Sequence, residues 1–231
     1  MLDQSGDVVL TTTVMRSQAS AGLLEAPAGA LVSSQAEAWQ VVAKRVMDVL
    51  GALVVLLLVL PVLIVAAVGV RLSSEGPILF RQKRIGFQGR QFTIYKFRTF
   101  PADHSHCREV RGDVLTADES PLKWGRFLRR VSVDELPQIF NVLKGDMSLV
   151  GPRPEIPEFA EELARAIPGY RDRHRCPAGI TGLAQIRGLC GPTSIEDRAR
   201  SDNEYIEGWS IGSDLVILLR TVPAVIRKIH W

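Results

Sequence analysis

Cysteine is scarce: the 231-residue chain has three, Cys107, Cys176 and Cys190, and no C-x-x-C pair. An odd and unpaired set gives no disulfide framework, so a reducing, cytosolic setting is expected. Strong charge of either sign is also missing. The net charge is +3 and no long basic tail is present, which argues against a nucleic-acid partner. The glycines form neither a G-x-G-x-x-G fingerprint nor a P-loop, and there is no internal repeat. No signal peptide is expected, because residues 1–32 mix Ser, Thr, Ala and Gly without a basic region leading into a continuous apolar core. That stretch reads as a mobile tail. His104, His106 and Cys107 lie close together but lack a second ligand cluster, so a polar surface loop is favoured over zinc.

What is present is one long apolar run. Val49 to Val70 spans 22 residues without a charge, about 33 Å as a straight helix and enough to cross a bilayer core. Upstream, Ser33 or Ser34 can cap a helix that passes Trp39 towards a membrane interface. Pro61 stands in the middle of the run, where it removes a backbone hydrogen bond and favours a bend. Basic residues flank both ends, Lys44 and Arg45 before, Arg71, Lys83 and Arg84 after, so the positive-inside bias selects no orientation. A buried helix of a soluble domain is disfavoured by the length and the Leu/Val density. Two readings stay open on these residues: a single span, or a helix broken at Pro61 that leaves through the leaflet it entered. The second must satisfy the backbone exposed at the bend.

The remainder reads as a compact α+β unit. Ile78–Phe80 and Gln91–Tyr95 look like two strands joined through a glycine-containing turn. Arg71, Arg81, Lys83, Arg84, Arg90, Lys96 and Arg98 face a single acid, Glu75, across this region. That asymmetry suits anionic headgroups or a phosphorylated substrate. The segment 101–120 is polar and irregular. Trp124–Arg130 has an apolar and a basic face and could lie at a membrane surface or pack on the core. Ile156–Ile167 is an acidic helix, and Gly179–Gln185 reads as a tight loop leading into a strand. Asp214 can cap a last helix that is broken or bent at Pro223.

The densest chemistry is Ser132-Val133-Asp134-Glu135-Leu136-Pro137. Lys123, Arg126, Arg129 and Arg130 precede it, and Arg153, held between Pro152 and Pro154, follows. Ser132-x-x-Glu135 fits a capping box and Asp134 could itself be an N-cap, the more economical account of either carboxylate. The competing account is a site for a metal ion and phosphate. A helix N-terminus and nearby arginines would keep the carboxylates ionised and attract anions.

Taken in order, several motifs together resemble the bacterial sugar transferase family, the monotopic polyprenyl-phosphate phosphoglycosyltransferases. They are Lys44-Arg45-x-x-Asp48, Phe80-Arg81-Gln82-Lys83-Arg84-Ile85-Gly86 and Lys96-Phe97-Arg98-Thr99. Leu128-Arg129-Arg130, Ser132-x-Asp134-Glu135-Leu136-Pro137-Gln138 and Asn141–Ser148 follow, then Gly151-Pro152-Arg153-Pro154, Gly179-Ile180-Thr181-Gly182 and Asp202-x-x-Tyr205. Three positions depart from the family's usual pattern: Leu60, Phe100 and the Pro177-Ala178-Gly179 spacing.

The resemblance implies a mostly helical α+β fold with a re-entrant membrane helix broken at Pro61, a small β-hairpin, and interfacial amphipathic helices around a cytosolic catalytic domain. On that basis residues 33–72 form the juxtamembrane and membrane helix and 73–231 the catalytic domain, at the cytosolic face of the inner membrane. It implies that Asp134 is a nucleophile and that Glu135 helps hold Mg²⁺. Arg153 would bind phosphate with Arg129 in support, and Lys83, Arg84, Lys96 and Arg98 are the further candidates for phosphate or substrate. Lys44, Arg45, Pro61, Pro152 and Pro154 would be structural. The implied reaction moves a sugar-1-phosphate from a UDP-sugar to polyprenyl phosphate and releases UMP, at the start of exopolysaccharide assembly. Membrane phospholipids are the other expected partner, and homo-oligomerisation is left open. A glycosyltransferase releasing UDP and a silent membrane adaptor are the rivals.

Overall fold

The computed structural model describes residues 38–101, 122–190 and 193–229. The expected tail, the Ser33 or Ser34 cap and the group His104, His106 and Cys107 lie outside the described residues.

The described chain opens with α1, Ala38–Ser73, 36 residues long. It continues through Pro61 rather than stopping there, since a proline removes one N–H donor but leaves the bonds of the other turns intact. Its surface is largely bare. Leu57 is 74 % exposed and Leu58 72 %, and only 17 % of its most apolar 18-residue window is buried. A core helix of a water-soluble domain would hide such a surface.

Both ends of α1 are tied to the same folded body. Near the N-terminal end, Lys44 Nζ donates to Asp214 Oδ2 at 2.7 Å and to the Val150 carbonyl at 3.2 Å. Arg45 donates to the carbonyls of Val142 and Leu143 at 2.6 and 2.9 Å. Asp48 accepts from Ser148 Oγ and the Leu149 N–H at 2.9 and 3.0 Å. The expected membrane-flanking cations Lys44 and Arg45 are therefore fastenings between the helix and the domain. Near the other end, Leu63, Ala66 and Val70 pack with Phe97 and Leu128. A Cβ on Gly69 would lie 2.2 Å from the Trp124 ring, so glycine is what lets that indole lie against the helix.

A hairpin follows. Strands β1, Leu79–Ile85, and β2, Gln91–Phe97, pair antiparallel from Leu79↔Phe97 to Ile85↔Gln91. Lys83 and Arg84 are thus strand residues, with the turn confined to 86–90. The structure then resumes at α2, Lys123–Arg130, with the expected helical segment and its exposed Phe127. A 3-10 turn over Val133–Gln138 runs straight into α3, Ile139–Lys144. Strand β3, Ser148–Val150, pairs in parallel with β4, Gly179–Thr181. Between them lie α4, Pro157–Ala166, and a 3-10 turn over Tyr170–Arg175.

The 179–185 segment departs from the expectation of a loop leading into a strand. The strand comes first and the short helix α5, Leu183–Ile186, follows. Long-range pairing with β3 decides this. Gly151 and Gly179 approach so closely that a Cβ on Gly179 would lie 2.1 Å from the Gly151 nitrogen.

Helix α6, Ile195–Glu207, is capped by Ser194, whose Oγ accepts from the Asp197 N–H at 3.2 Å. The last helix, α7, spans Ile211–Ile229 and passes through Pro223. Asp214 does not cap it. Ser210 and Ser213 exchange backbone-to-hydroxyl bonds at 3.0 Å each way. Asp214 instead lies fully buried, accepting from Tyr205 Oη at 2.7 Å and from Lys44. The main core gathers Ala52, Ile94, Ile139, Val142, Met147, Leu149, Val150, Tyr205, Ile206 and Ile217. Helix and sheet segments far apart in sequence therefore share one interior. Among the described residues the outcome is a mostly helical α+β fold with two small sheets.

Candidate active site: the acid pair, Lys96 and the Arg153 loop

The acid pair sits on the 3-10 turn, not at the start of an α-helix. Ser132 precedes it in the left-handed region at φ 57° and makes no side-chain cap. The capping-box account therefore does not hold. A left-handed non-glycine residue costs roughly 1–2 kcal/mol, and such conformations gather at functional sites. Behind the pair, Pro137 and Gln138 are buried.

Asn141, fully buried on α3, ties this region to the hairpin. Its Nδ2 donates to the Thr93 carbonyl at 2.7 Å and its Oδ1 accepts from the Tyr95 N–H at 3.1 Å. That lock fixes β2 beside the acid pair, and β2 carries Lys96. Lys96 is buried, with Nζ 3.5 Å from Glu135 Oε1.

Arg153 arrives from the other side. Its Nη1 donates to Glu135 Oε2 at 2.9 Å and its Nη2 to Oε1. Glu135 is therefore held between two cations from distant parts of the chain, with Asp134 next to it in sequence. This charge-assisted, two-point geometry is the arrangement by which arginine recognises carboxylates and phosphates.

The loop presenting Arg153 has few N–H groups, because Pro152 and Pro154 have none. Its carbonyls are each accounted for by another element. The Pro152 carbonyl accepts from the Gly179 N–H at 2.9 Å, and the Arg153 carbonyl from Arg173 Nη2 at 2.9 Å. The Pro154 carbonyl accepts from Arg84 Nη1 at 3.4 Å, and the Glu155 carbonyl from the Ile85 N–H at 2.8 Å.

Of the other expected phosphate-binding residues, Arg84 is engaged with this loop and lies 3.7 Å from Glu155. Arg98 is buried, and its guanidinium donates to the carbonyls of Ser74 and Glu75, clamping the chain as it leaves α1. Burial, and secondarily the charge of Arg71, lowers its pKa. Lys83 is exposed on β1, and Arg129 stacks over the Phe100 ring at 5.5 Å. The structure thus brings together Glu135, Lys96 and Arg153, with Asp134 adjacent to Glu135 in the chain, while Arg98 and Arg84 donate to backbone carbonyls.

Sequence reasoning missed Arg173, because its partners Arg153 and Asp202 lie 20 and 29 positions away. Asn141, Asp202 and Tyr205 stood in quoted motifs but carried no assigned role. Asp202 pairs with Arg173 at 2.7 Å, and Tyr205 donates to Asp214.

No group of three or more His, Cys, Asp or Glu side chains that could hold a metal ion occurs among the described residues. Magnesium, however, is usually held by one or two carboxylates together with substrate phosphates. The hard oxygen donors of Glu135 and its neighbour Asp134 fit that chemistry.

Residues 39–228 match the family described as Bacterial sugar transferase. A UDP-glucose:undecaprenyl-phosphate glucose-1-phosphate transferase of Caulobacter vibrioides is 46% identical over 190 residues, covering 79% of this chain and 69% of that protein. An undecaprenyl-phosphate glucose phosphotransferase of Komagataeibacter xylinus is 42% identical over 191 residues, covering 80% of this chain and 36% of its own length. A UDP-N-acetylgalactosamine-undecaprenyl-phosphate N-acetylgalactosaminephosphotransferase of Aeromonas hydrophila is 37% identical over 186 residues, covering 79% and 43%. The chain thus spans about two thirds of the first of these proteins and less than half of the other two.

Proposed function

The chain belongs to the bacterial sugar transferase family, and from that premise we propose that it transfers a sugar-1-phosphate from a UDP-sugar to polyprenyl phosphate, releasing UMP. The observation that carries this reading is the Glu135 carboxylate held between Lys96 and Arg153 beside Asp134. These are cations able to take a diphosphate and an acid able to attack it. The names of the relatives, drawn from glucose and N-acetylgalactosamine phosphotransfer to undecaprenyl phosphate, support the same chemistry.

Donor and acceptor are both phosphate anions, so direct attack of one on the other meets like-charge repulsion. A carboxylate nucleophile divides the reaction into two displacements. An Asp134 oxygen attacks the sugar-bearing phosphorus, the bond to the bridging oxygen breaks, and UMP departs with the electron pair. An oxygen of polyprenyl phosphate then attacks the same phosphorus, the aspartyl–phosphorus bond breaks, and the carboxylate is regenerated. Arg153 and Lys96 offset the charge on the phosphoryl oxygens, most effectively where water is excluded. Mg²⁺ would be held by Glu135 with the donor phosphates and would supply further charge neutralisation there.

The same reading places the chain on a membrane. Both ends of α1 hold to one body while Leu57 and Leu58 between them are bare. A helix that enters and leaves through one leaflet fits these ties better than a span with its ends on opposite sides. The exposed Leu215, Val216, Leu219, Val222 and Ile226 follow helical spacing along α7, an apolar face suited to the headgroup boundary. The catalytic body would then lie at the cytosolic face, level with the phosphate of the lipid acceptor.

The test uses UDP-glucose first, labelled at the β-phosphate, with the full chain in lipid nanodiscs. Label should remain covalently on the wild type and be absent from Asp134→Asn, and UMP should accumulate once undecaprenyl phosphate is added. Release of UDP would establish sugar transfer alone, and equal labelling of both proteins would remove Asp134 as nucleophile.

A further inference from the structure

Arg173 is 3 % exposed, and its guanidinium joins three elements. Nη1 donates to Tyr170 Oη at 2.6 Å, while Nη2 donates both to Asp202 Oδ2 on α6 at 2.7 Å and to the Arg153 carbonyl at 2.9 Å. The group also lies over the Tyr170 ring at 5.0 Å. Burial works to discharge Arg173, but Asp202, Tyr170 and Glu155 together outweigh it and raise its pKa.

A buried pair needs some return beyond stability, because a well-packed apolar pair is often as stable as a buried salt bridge. Here the return is visible in the third bond. The loop lacks amide donors at Pro152 and Pro154, so an outside donor must orient the peptide following Arg153. Arg173 supplies one to the very residue whose side chain reaches Glu135.

We propose that Arg173, oriented by Asp202, is a positioning residue that sets the reach of Arg153 towards the acid pair by holding its backbone carbonyl. The proposal rests on the reading that Arg153 binds donor phosphate. Arg173 itself touches no reacting atom; it restricts the loop so that the guanidinium of Arg153 is already placed when the diphosphate arrives, the kind of pre-organisation that lowers the entropy lost on binding.

Two variants of the full chain in nanodiscs test this. Arg173→Met combined with Asp202→Leu removes the charge pair as a unit, so folding can survive. Arg173→Lys keeps a charge for Asp202 but has a single nitrogen in place of the planar fork. Thermal melting, amide exchange and donor kinetics are read on each. Both variants should melt as cooperatively as wild type. Exchange at the Gly179 and Ile85 amides, which bond to the carbonyls of Pro152 and Glu155 on either side of Arg153, should quicken roughly tenfold or more, the loss of one charge-assisted bond. Amides within α7 should be unaffected. The donor KM should rise by a similar factor with kcat changed much less. Should one variant fail to fold, the other decides. A folded variant with wild-type exchange at Gly179 and Ile85 and an unchanged donor KM overturns the proposal. A wild-type protein that releases no UMP refutes the reaction instead, and the exchange readings still decide the role of Arg173.

Discussion

Arg153 grips Glu135 through both ends of its guanidinium, with Nη1 2.9 Å from Oε2 and Nη2 on Oε1, while Lys96 stands 3.5 Å from Oε1. A lysine at 153 keeps the charge but cannot make the parallel pair of bonds. Arg153→Lys should lower UMP release roughly 10- to 100-fold, the scale of one to two hydrogen bonds to a charged group. The melting temperature should hardly move, because the Arg153 side chain is 38% exposed. A coupled UMP assay with parallel melting curves checks both statements.

The fastening of α1 to the body predicts a stability effect far from the chemistry. Lys44 and Asp214 form an ion pair at 2.7 Å with side-chain exposures of 11% and 0%. Lys44→Met would strand a buried carboxylate and should cost about 3–5 kcal/mol. Combining it with Asp214→Leu should recover much of that loss. Melting of the single and double variants in detergent measures the difference.

Gly151 lies just past β3, against the backbone that leads into β4, and a Cβ there would sit 2.3 Å from the Pro177 carbonyl oxygen. Both groups are backbone and neither can swing aside. Gly151→Ala should destabilise by about 1–3 kcal/mol and shift the Arg153 loop two residues on, lowering activity as well. Gly208→Ala, whose nearest neighbour is 3.4 Å away, is the near-neutral control in the same melting experiment.

His174 should make stability depend on pH. Burial, reinforced by the charges of Arg173 and Arg171, lowers its pKa from 6.5 to about 4. Between those values the unfolded chain takes up a proton that the folded chain refuses, so stability declines as the pH falls from 6.5 towards 4. The decline amounts to about 3 kcal/mol at most, at about 1.4 kcal/mol per pH unit, and is complete once the folded pKa is passed. His174→Gln should remove that component, read as a smaller difference in denaturation midpoint between pH 7 and pH 4.5.

The bare stripe on α7 predicts a lipid contact. Leu219 is 75% exposed and Val222 62%, so replacing both with glutamate removes little protein packing and should leave melting in detergent within about 0.5 kcal/mol of wild type. In anionic lipid nanodiscs the same pair of changes should quicken amide exchange along α7. Unchanged exchange there would mean that this face does not meet lipid.

Local features were legible from residue order alone. The apolar run made α1 recognisable, two strand-like runs joined by a glycine-containing turn indicated the hairpin, and the Trp124–Arg130 periodicity marked α2. Adjacency kept Asp134 beside Glu135, and Arg153 stood out between two prolines. The strand at Gly179 was missed because three residues carry too little pattern of their own; their pairing with β3 creates the strand. The helix cap at Asp214 was misplaced for a related reason, since a carboxylate near a helix start suits a cap equally well until Lys44 and Tyr205 are seen to enclose it.

The sequence by itself determined which chemical groups exist and where the chain must be apolar, helical or turned, because those follow from side chains a few positions apart. Only the tertiary structure decided which cation serves which anion. Lys96 and Arg153 meet Glu135, Arg173 meets Asp202, Lys44 meets Asp214, and Arg98 closes on backbone carbonyls. A charge carries no mark of its partner. With many basic residues of similar reach, the pairing is settled by which elements the buried core brings side by side.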